Sequence, residues 1–383
     1  MLHNQYLKDW SKIVSNHFPH LSLPEVIGLA TWSFGMVITG SSSLTRVSES
    51  IAKINGEKSN TVKIRLKEWY QDSQAKKGNK RQELDVKKCF APLLKWILSI
   101  WNSEEKWLPL AIDTTNIGQN FTVLSVHVLD RGCGIPVAWK IIKGTEIGSW
   151  KPHWLHLFQS LKGAVPSDWK VIVLADRGLY ADWLFDEICA LNWHPFLRIN
   201  HQGTYQIKGE EKWKSLATVV PKTGKTWSAN VTCFQNNPLT CTLLAGWDED
   251  YKDPWLIVTD ILPEQANVGI ECSYRDLKSD GWQWHKTRLR EPDRAERLWL
   301  AMAVATLWTV TAGIDTQQHL FNSLPDKSYE CHEDRQKSAW KKVHRRISYF
   351  LEGLITIIAD LLVGKGIYLN ADRPYSSFAV NSS

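Results

Sequence analysis

Two aspartates in this chain stand where an apolar strand would end. The stretch LPLAIDTTNIG (residues 108–118) runs from Leu108 to Ile112 straight into Asp113, and VIVLADRGLY (171–180) runs a second apolar segment into Asp176. Open α/β sheets place their ligands at the carboxyl ends of their strands, so an acid there faces a candidate site. Paired carboxylates suit a hard cation such as Mg²⁺ or Mn²⁺, which takes oxygen ligands, keeps waters and shares a substrate phosphate. Two such ions about 3.5–4 Å apart can activate an attacking oxygen and stabilise a leaving one in phosphoryl transfer. Either aspartate alone also suits an ordinary turn after a strand. Two aspartates seldom hold two ions, so this chemistry requires a third acid.

The elements around them predict how the pair is positioned. WLPLAID reads as a strand; FTVLSVHVLD and IPVAWKIIKG read as a hairpin about RGCG, with Gly132 and Gly134 in the turn. SWKPHWLHLFQSLKG is a helix with Pro152 in its first turn. WKVIVLAD is a buried strand, YADWLFDEICALN a helix and HPFLRIN a further strand. Three meandering strands followed by β-α-β-α-β imply one mixed sheet carrying helices. In such a sheet the first and fourth strands can be neighbours, which brings Asp113 and Asp176 together.

Residues 1–100 read as helical. SLPEVIGLATWSFGMVI opens on a Ser/Pro start signal, and TRVSESIAKI and NTVKIRLKEWYQD flank the polar turn NGEKS, a helix-turn-helix pattern. Lys63, Arg65 and Lys67 on the second of these helices are candidate DNA contacts. The first 110 residues hold 16 Lys+Arg against 10 Asp+Glu, and the remainder holds 30 of each, so the whole net charge of +6 lies in the N-terminal third. That asymmetry fits a polyanion partner as well as a solvated basic face. TWSANVTCF, LTCTLLAGW and PWLIVTDI, between residues 201 and 262, read as an inserted β subdomain. The chain to Leu369 then reads as mainly helical, with basic clusters that include Arg288, Arg290 and Arg294, and Lys341, Lys342, Arg345 and Arg346.

AIDTT, LADRGLY and IECSYRDLKSDG resemble, in order and local context, the three acid motifs of DDE transposases, specifically the insertion-sequence-four group with a β insertion before the last acid. The resemblance covers roughly residues 105–310. It implies an α/β fold: an RNase H-like mixed-sheet core with a β-rich insertion, flanked by N-terminal and C-terminal helical regions. Its expected divisions are residues 1–100, helical and DNA-binding; 101–200, the first part of the core; 201–262, the insertion; 263–310, the helix with the last acid; and 311–383, C-terminal helices. It implies Glu271 as the third acid beside Asp113 and Asp176, and two Mg²⁺ (or Mn²⁺) ions as cofactors. Trp255 falls where the family places a tryptophan that stacks on a flipped base. The implied partners are double-stranded transposon ends and target DNA, with a homodimer on DNA as the working form. On a helix, Glu271, Arg275 and Lys278 share one face, which would aim a carboxylate at metal and cations at phosphate; Asp276 lies off that face.

The family pattern is Tyr, two residues, Arg, three residues, Glu, six residues, Lys. Here Glu271 and Lys278 keep the spacing, but Glu264 and Asn267 stand where Tyr and Arg belong. Two readings follow: an active enzyme, or a catalytically impaired DNA-binding relic or repressor of transposition. A metal-dependent nuclease without strand transfer is a third.

Other chemistries find no support. There is no GxGxxG or Walker A loop, no HExxH and no GxSxG elbow. Seven scattered cysteines without a CxxC pair suggest reduced thiols, and His153 and His156 are expected simply to pack. No secretory leader is evident. The apolar LWLAMAVATLWTVTAGI, 17 residues from Leu298, suits a buried helix better than a membrane span. A cytoplasmic protein at the bacterial nucleoid is the expectation.

Overall fold

The computed structural model describes residues 4–78, 81–101, 106–146, 148–220, 222–247, 252–265, 282–284, 289–322, 347–367 and 369. The chain divides into two compact units: Met1–Leu84 with Asp280–Thr287 and Arg297–Asn370, and Asp85–Ser279 with Arg288–Glu296 and Ala371–Ser383.

The first unit is helical. Its N-terminal part comprises α1 (Gln5–His17), α2 (Leu23–Thr39), α3 (Leu44–Asn55) and α4 (Ser59–Tyr70). Pro24 opens α2, and the Glu25 carboxylate accepts the Ser22 backbone N–H at 2.8 Å, satisfying a donor that the helix start leaves unpaired. The turn predicted between α3 and α4 is made at Gly56, whose φ of 65° closes α3 in the left-handed conformation. Trp69 of α4 lies directly over Gly28 of α2 and donates its indole N–H to Glu25 O at 3.0 Å. Two further helices are α8 (Pro292–Asn322), most of which belongs to this unit, and α9 (Tyr349–Leu362). They cross at Gly313 and Gly353, where a Cβ added to Gly353 would meet Thr309 O at 1.7 Å. Trp308 of α8 stacks on Trp10 at 4.2 Å. By length and composition α8 is the one helix among the described residues able to cross a membrane, yet 78% of its apolar window is buried, as a core helix requires.

The second unit is built on one sheet of ten strands in the order β3-β2-β1-β4-β5-β10-β9-β8-β6-β7. They are β1 (Trp107–Ile117), β2 (Phe121–Asp130), β3 (Cys133–Lys143), β4 (Lys170–Ala175), β5 (His194–Arg198), β6 (Thr204–Ile207), β7 (Lys214–Ser215), β8 (Lys225–Cys233), β9 (Leu239–Trp247) and β10 (Trp255–Thr259). β1, β4 and β5 are parallel and β2 antiparallel to β1, so the first five strands have the order and directions of an RNase H-like core. The helices are α5 (Lys87–Ser99), α6 (Lys151–Lys162) and α7 (Asp182–Ala190); α5 and α6 pack on β3, and α7 on β5. The central strands are buried on both faces, which is why they read as unbroken apolar runs rather than alternating ones.

The inserted strands join the core sheet at its β5 side: β10 pairs antiparallel with β5 (Ile257↔Arg198, Val258↔Leu197) and β9 and β8 follow. The opposite edge, β3, is protected rather than left as an open template. The Glu296 carboxylate accepts the Ile141 N–H and pairs with Lys140, both at 2.9 Å, and Pro136 sits beside a register shift.

Candidate active site

The parallel register of β1 and β4 ends at Ile112↔Ala175, so the next step sets Asp113 level with Asp176. Neighbouring strands lie about 4.8 Å apart, and alternation turns both acids to the face that carries Ala111 and Leu174. β4 stops there because the chain turns: Leu179 N–H bonds to Asp176 O at 2.9 Å. β1 continues past Asp113, held by β2 as far as Ile117↔Phe121.

Thr115 Oγ1 donates to Asp113 Oδ2 at 2.7 Å and fixes that carboxylate. Opposite, on β2, Ser125 partners Asp113 in register, and its hydroxyl lies 2.9 Å from His127 Nε2. Burial pushes the His127 imidazole down to about 4, against the opposing pull of the Asp113 charge, so the ring is neutral at neutral pH.

Asp176 has a partner that sequence reasoning missed. The β4–β5 register ends at Ala175↔Leu197, and one step further Arg198 Nη1 donates to Asp176 Oδ1 at 3.0 Å. The Arg198 guanidinium in turn lies 4.1 Å from the centre of the Trp255 ring, and Trp255 packs on the core cluster of Phe196, Leu244 and Ile257. Asp113, Asp176, Arg198 and Trp255 thus follow one another across β1, β4, β5 and β10. The signal for Arg198 was present: HPFLRIN is another apolar strand that runs into a charge, as the two acid-bearing strands do.

The loop after Asp176 is braced by the insertion. Tyr180 packs on Phe234 with ring centres 5.2 Å apart, and Asn237 Nδ2 donates to Asp182 Oδ2 at 2.7 Å. Phe234 takes a φ of 62° at the hairpin tip, unusual for a residue with a side chain. Cys233 and Cys241 lie nearby as free thiols.

The remaining expected residues fall in two groups. Lys63 and Lys67 are exposed on α4, whereas the Arg65 guanidinium forks onto Glu57 at 2.9 and 3.1 Å, and that pairing holds the Glu57 carboxyl below its ordinary range. Glu271, Arg275, Lys278, Arg288, Lys341 and Arg345 lie outside the described residues. Glu264 is exposed in a turn closed by Gln265 N–H to Leu262 O at 2.9 Å. Among the described residues no group of three metal-ligating side chains converges. The donors present do fit a hard cation: they are oxygen-only, level at two strand ends, and few enough to leave room for waters and a phosphate.

No protein-family model matches the chain, and no curated protein matches it. Among solved structures the chain is similar to a piggyBac transposase, in a cryo-EM structure of its synaptic complex with hairpin DNA. The match covers 80% of this chain and 72% of that one, with 10% identity and a TM-score of 0.35.

Proposed function

We propose that this chain is a DDE-type DNA transposase of the insertion-sequence-four kind, cutting and joining DNA at the ends of an insertion sequence. The observation that carries the reading is the level placement of Asp113 and Asp176 on adjacent parallel strands of an RNase H-like sheet. In this reading Asp113 and Asp176 hold divalent ions together with Glu271. The ions, when bound, supply activation of the attacking oxygen and stabilisation of the leaving one at a phosphodiester. Thr115 fixes the Asp113 carboxylate and Arg198 that of Asp176. Lys63 and Lys67 contact backbone phosphates from α4, while Arg275, Lys278, Arg288, Lys341 and Arg345 add phosphate contacts. Trp255 is the aromatic that stacks on an unpaired base. Two ends must be cut together, so a homodimer on DNA is the working form.

The second reading, a DNA-binding relic or repressor, is favoured by Glu264, which occupies an exposed turn where the family places a DNA-gripping tyrosine. Incubating the protein with DNA that carries the gene's own flanks, with Mg²⁺ or Mn²⁺, separates the two. Nicks at the element boundary support the enzyme; retention of the ends without any cut in either metal supports the relic.

A further inference from the structure

We propose that Arg198, seated on Trp255, is a positioning residue that restricts Asp176 to one metal-facing oxygen and so tunes the site toward small six-coordinate ions over Ca²⁺. The inference rests on Asp113 and Asp176 being metal ligands, as proposed above.

Arg198 is held from two sides. Its Nη1 lies 3.0 Å from Asp176 Oδ1, and its guanidinium lies 4.1 Å from the centre of the Trp255 ring. Trp255 is itself packed on the sheet's apolar cluster, so the platform under the guanidinium is fixed. Exposure separates the partners: the Arg198 side chain is 19% exposed and that of Asp176 47%. The carboxylate therefore opens to solvent while the cation that orients it is largely covered. A planar guanidinium suits both roles at once, stacking through its face and donating through its edge, which a lysine ammonium cannot do.

Two consequences follow for a metal at Asp176. Oδ1 is engaged, so an ion meets Oδ2, and chelation by both oxygens requires breaking the contact with Arg198. Ca²⁺ commonly takes bidentate carboxylates within 6–8 ligands, whereas Mg²⁺ demands near-octahedral geometry and keeps its waters. The guanidinium charge also repels any cation at Oδ2, which keeps affinity low until a DNA phosphate adds ligands. An Arg198 that merely tied down the end of β5 would affect stability without altering the preference between ions.

The test is direct binding of Mn²⁺ and of Ca²⁺ to the full DNA-free chain, followed by electron paramagnetic resonance of free Mn²⁺ and by Ca²⁺ competition. The proteins are wild type, Arg198→Met, Arg198→Lys and Asp113→Asn. Arg198→Met is expected to bind Mn²⁺ about tenfold more tightly, the order expected when one nearby positive charge is removed from a partly solvated site. Ca²⁺ is expected to gain more than Mn²⁺, narrowing the preference. Arg198→Lys carries the test if Arg198→Met does not fold, because the preference narrows there too when the guanidinium stacked on Trp255 is lost. If Asp113→Asn weakens Mn²⁺ binding while both Arg198 variants keep the wild-type preference, the role of Arg198 is overturned and the metal site stands. If Asp113→Asn binds Mn²⁺ as wild type does, the metal site falls and the role of Arg198 with it.

Discussion

Phe234, at the tip of the hairpin between β8 and β9, packs 5.2 Å from Tyr180, four residues beyond Asp176. The insertion thereby steadies the loop that leaves the second acid. Phe234→Ala is expected to cost about 1–2 kcal/mol in urea unfolding, the scale of one half-buried aromatic contact. Its selective effect is faster amide exchange over residues 176–182, measured by mass spectrometry, with β1 unchanged. Equal exchange in that loop would mean that the insertion does not brace it.

Arg297 is buried and donates to Tyr70 O and Asp72 Oδ1, both at 2.9 Å, and to Glu83. It ties the chain beyond α4 to α8. Removing it leaves a buried carbonyl without that donor, whereas the two acids are partly exposed and lose less. Arg297→Met should therefore destabilise by about 2 kcal/mol, below the cost of breaking a fully buried ion pair. Chemical denaturation that monitors the helical signal checks this.

Gly353→Ala should cost more than an ordinary surface substitution. The new Cβ would meet Thr309 O at 1.7 Å and Gly313 N at 2.7 Å, both backbone atoms that cannot swing aside. Overpacking of this kind costs about 1–3 kcal/mol and forces α8 and α9 apart. A melting temperature equal to that of wild type would refute so close a crossing.

His127 makes stability depend on pH. Its folded-state value is lowered to about 4 from an ordinary 6.5, so the unfolded chain takes the proton first as pH falls. The contribution is fully present above pH 6.5 and is lost on the way down to about 4, on the order of 3 kcal/mol in all. Unfolding free energies measured across that window should show a shallower slope in His127→Gln than in wild type.

Much of the core could be read directly from residues 107–198. Parallel strands buried on both faces leave continuous apolar runs, and short turns separate them, so β1 to β5 and the neighbouring of β1 with β4 followed from pattern alone. The joining of the insertion to the core could not be read, because it rests on two residue pairs between β5 and β10 that are about sixty residues apart. The partners of Arg198, unlike its place at a strand end, were illegible for the same reason: Asp176 lies 22 residues before it, just past β4, and Trp255 lies on β10. The pairing of Arg65 with Glu57 was equally illegible, because Glu57 reaches it from the preceding turn, eight residues back and outside helical spacing.

The central claim is that Asp113 and Asp176 jointly hold the metal that drives DNA cleavage. It is tested most directly by cleavage of the gene's flanking DNA under Mg²⁺ or Mn²⁺, comparing wild type with Asp113→Asn, Asp176→Asn and Asp168→Asn. Asp168 is an exposed acid paired with Lys106 and serves as the control. The account predicts metal-dependent boundary nicks in wild type and Asp168→Asn, and a loss of at least about a hundredfold in each of the other two, the order seen when a group that stabilises transition-state charge is removed. Nicking that persists in Asp113→Asn or Asp176→Asn, or that survives chelation of the metal, would contradict it.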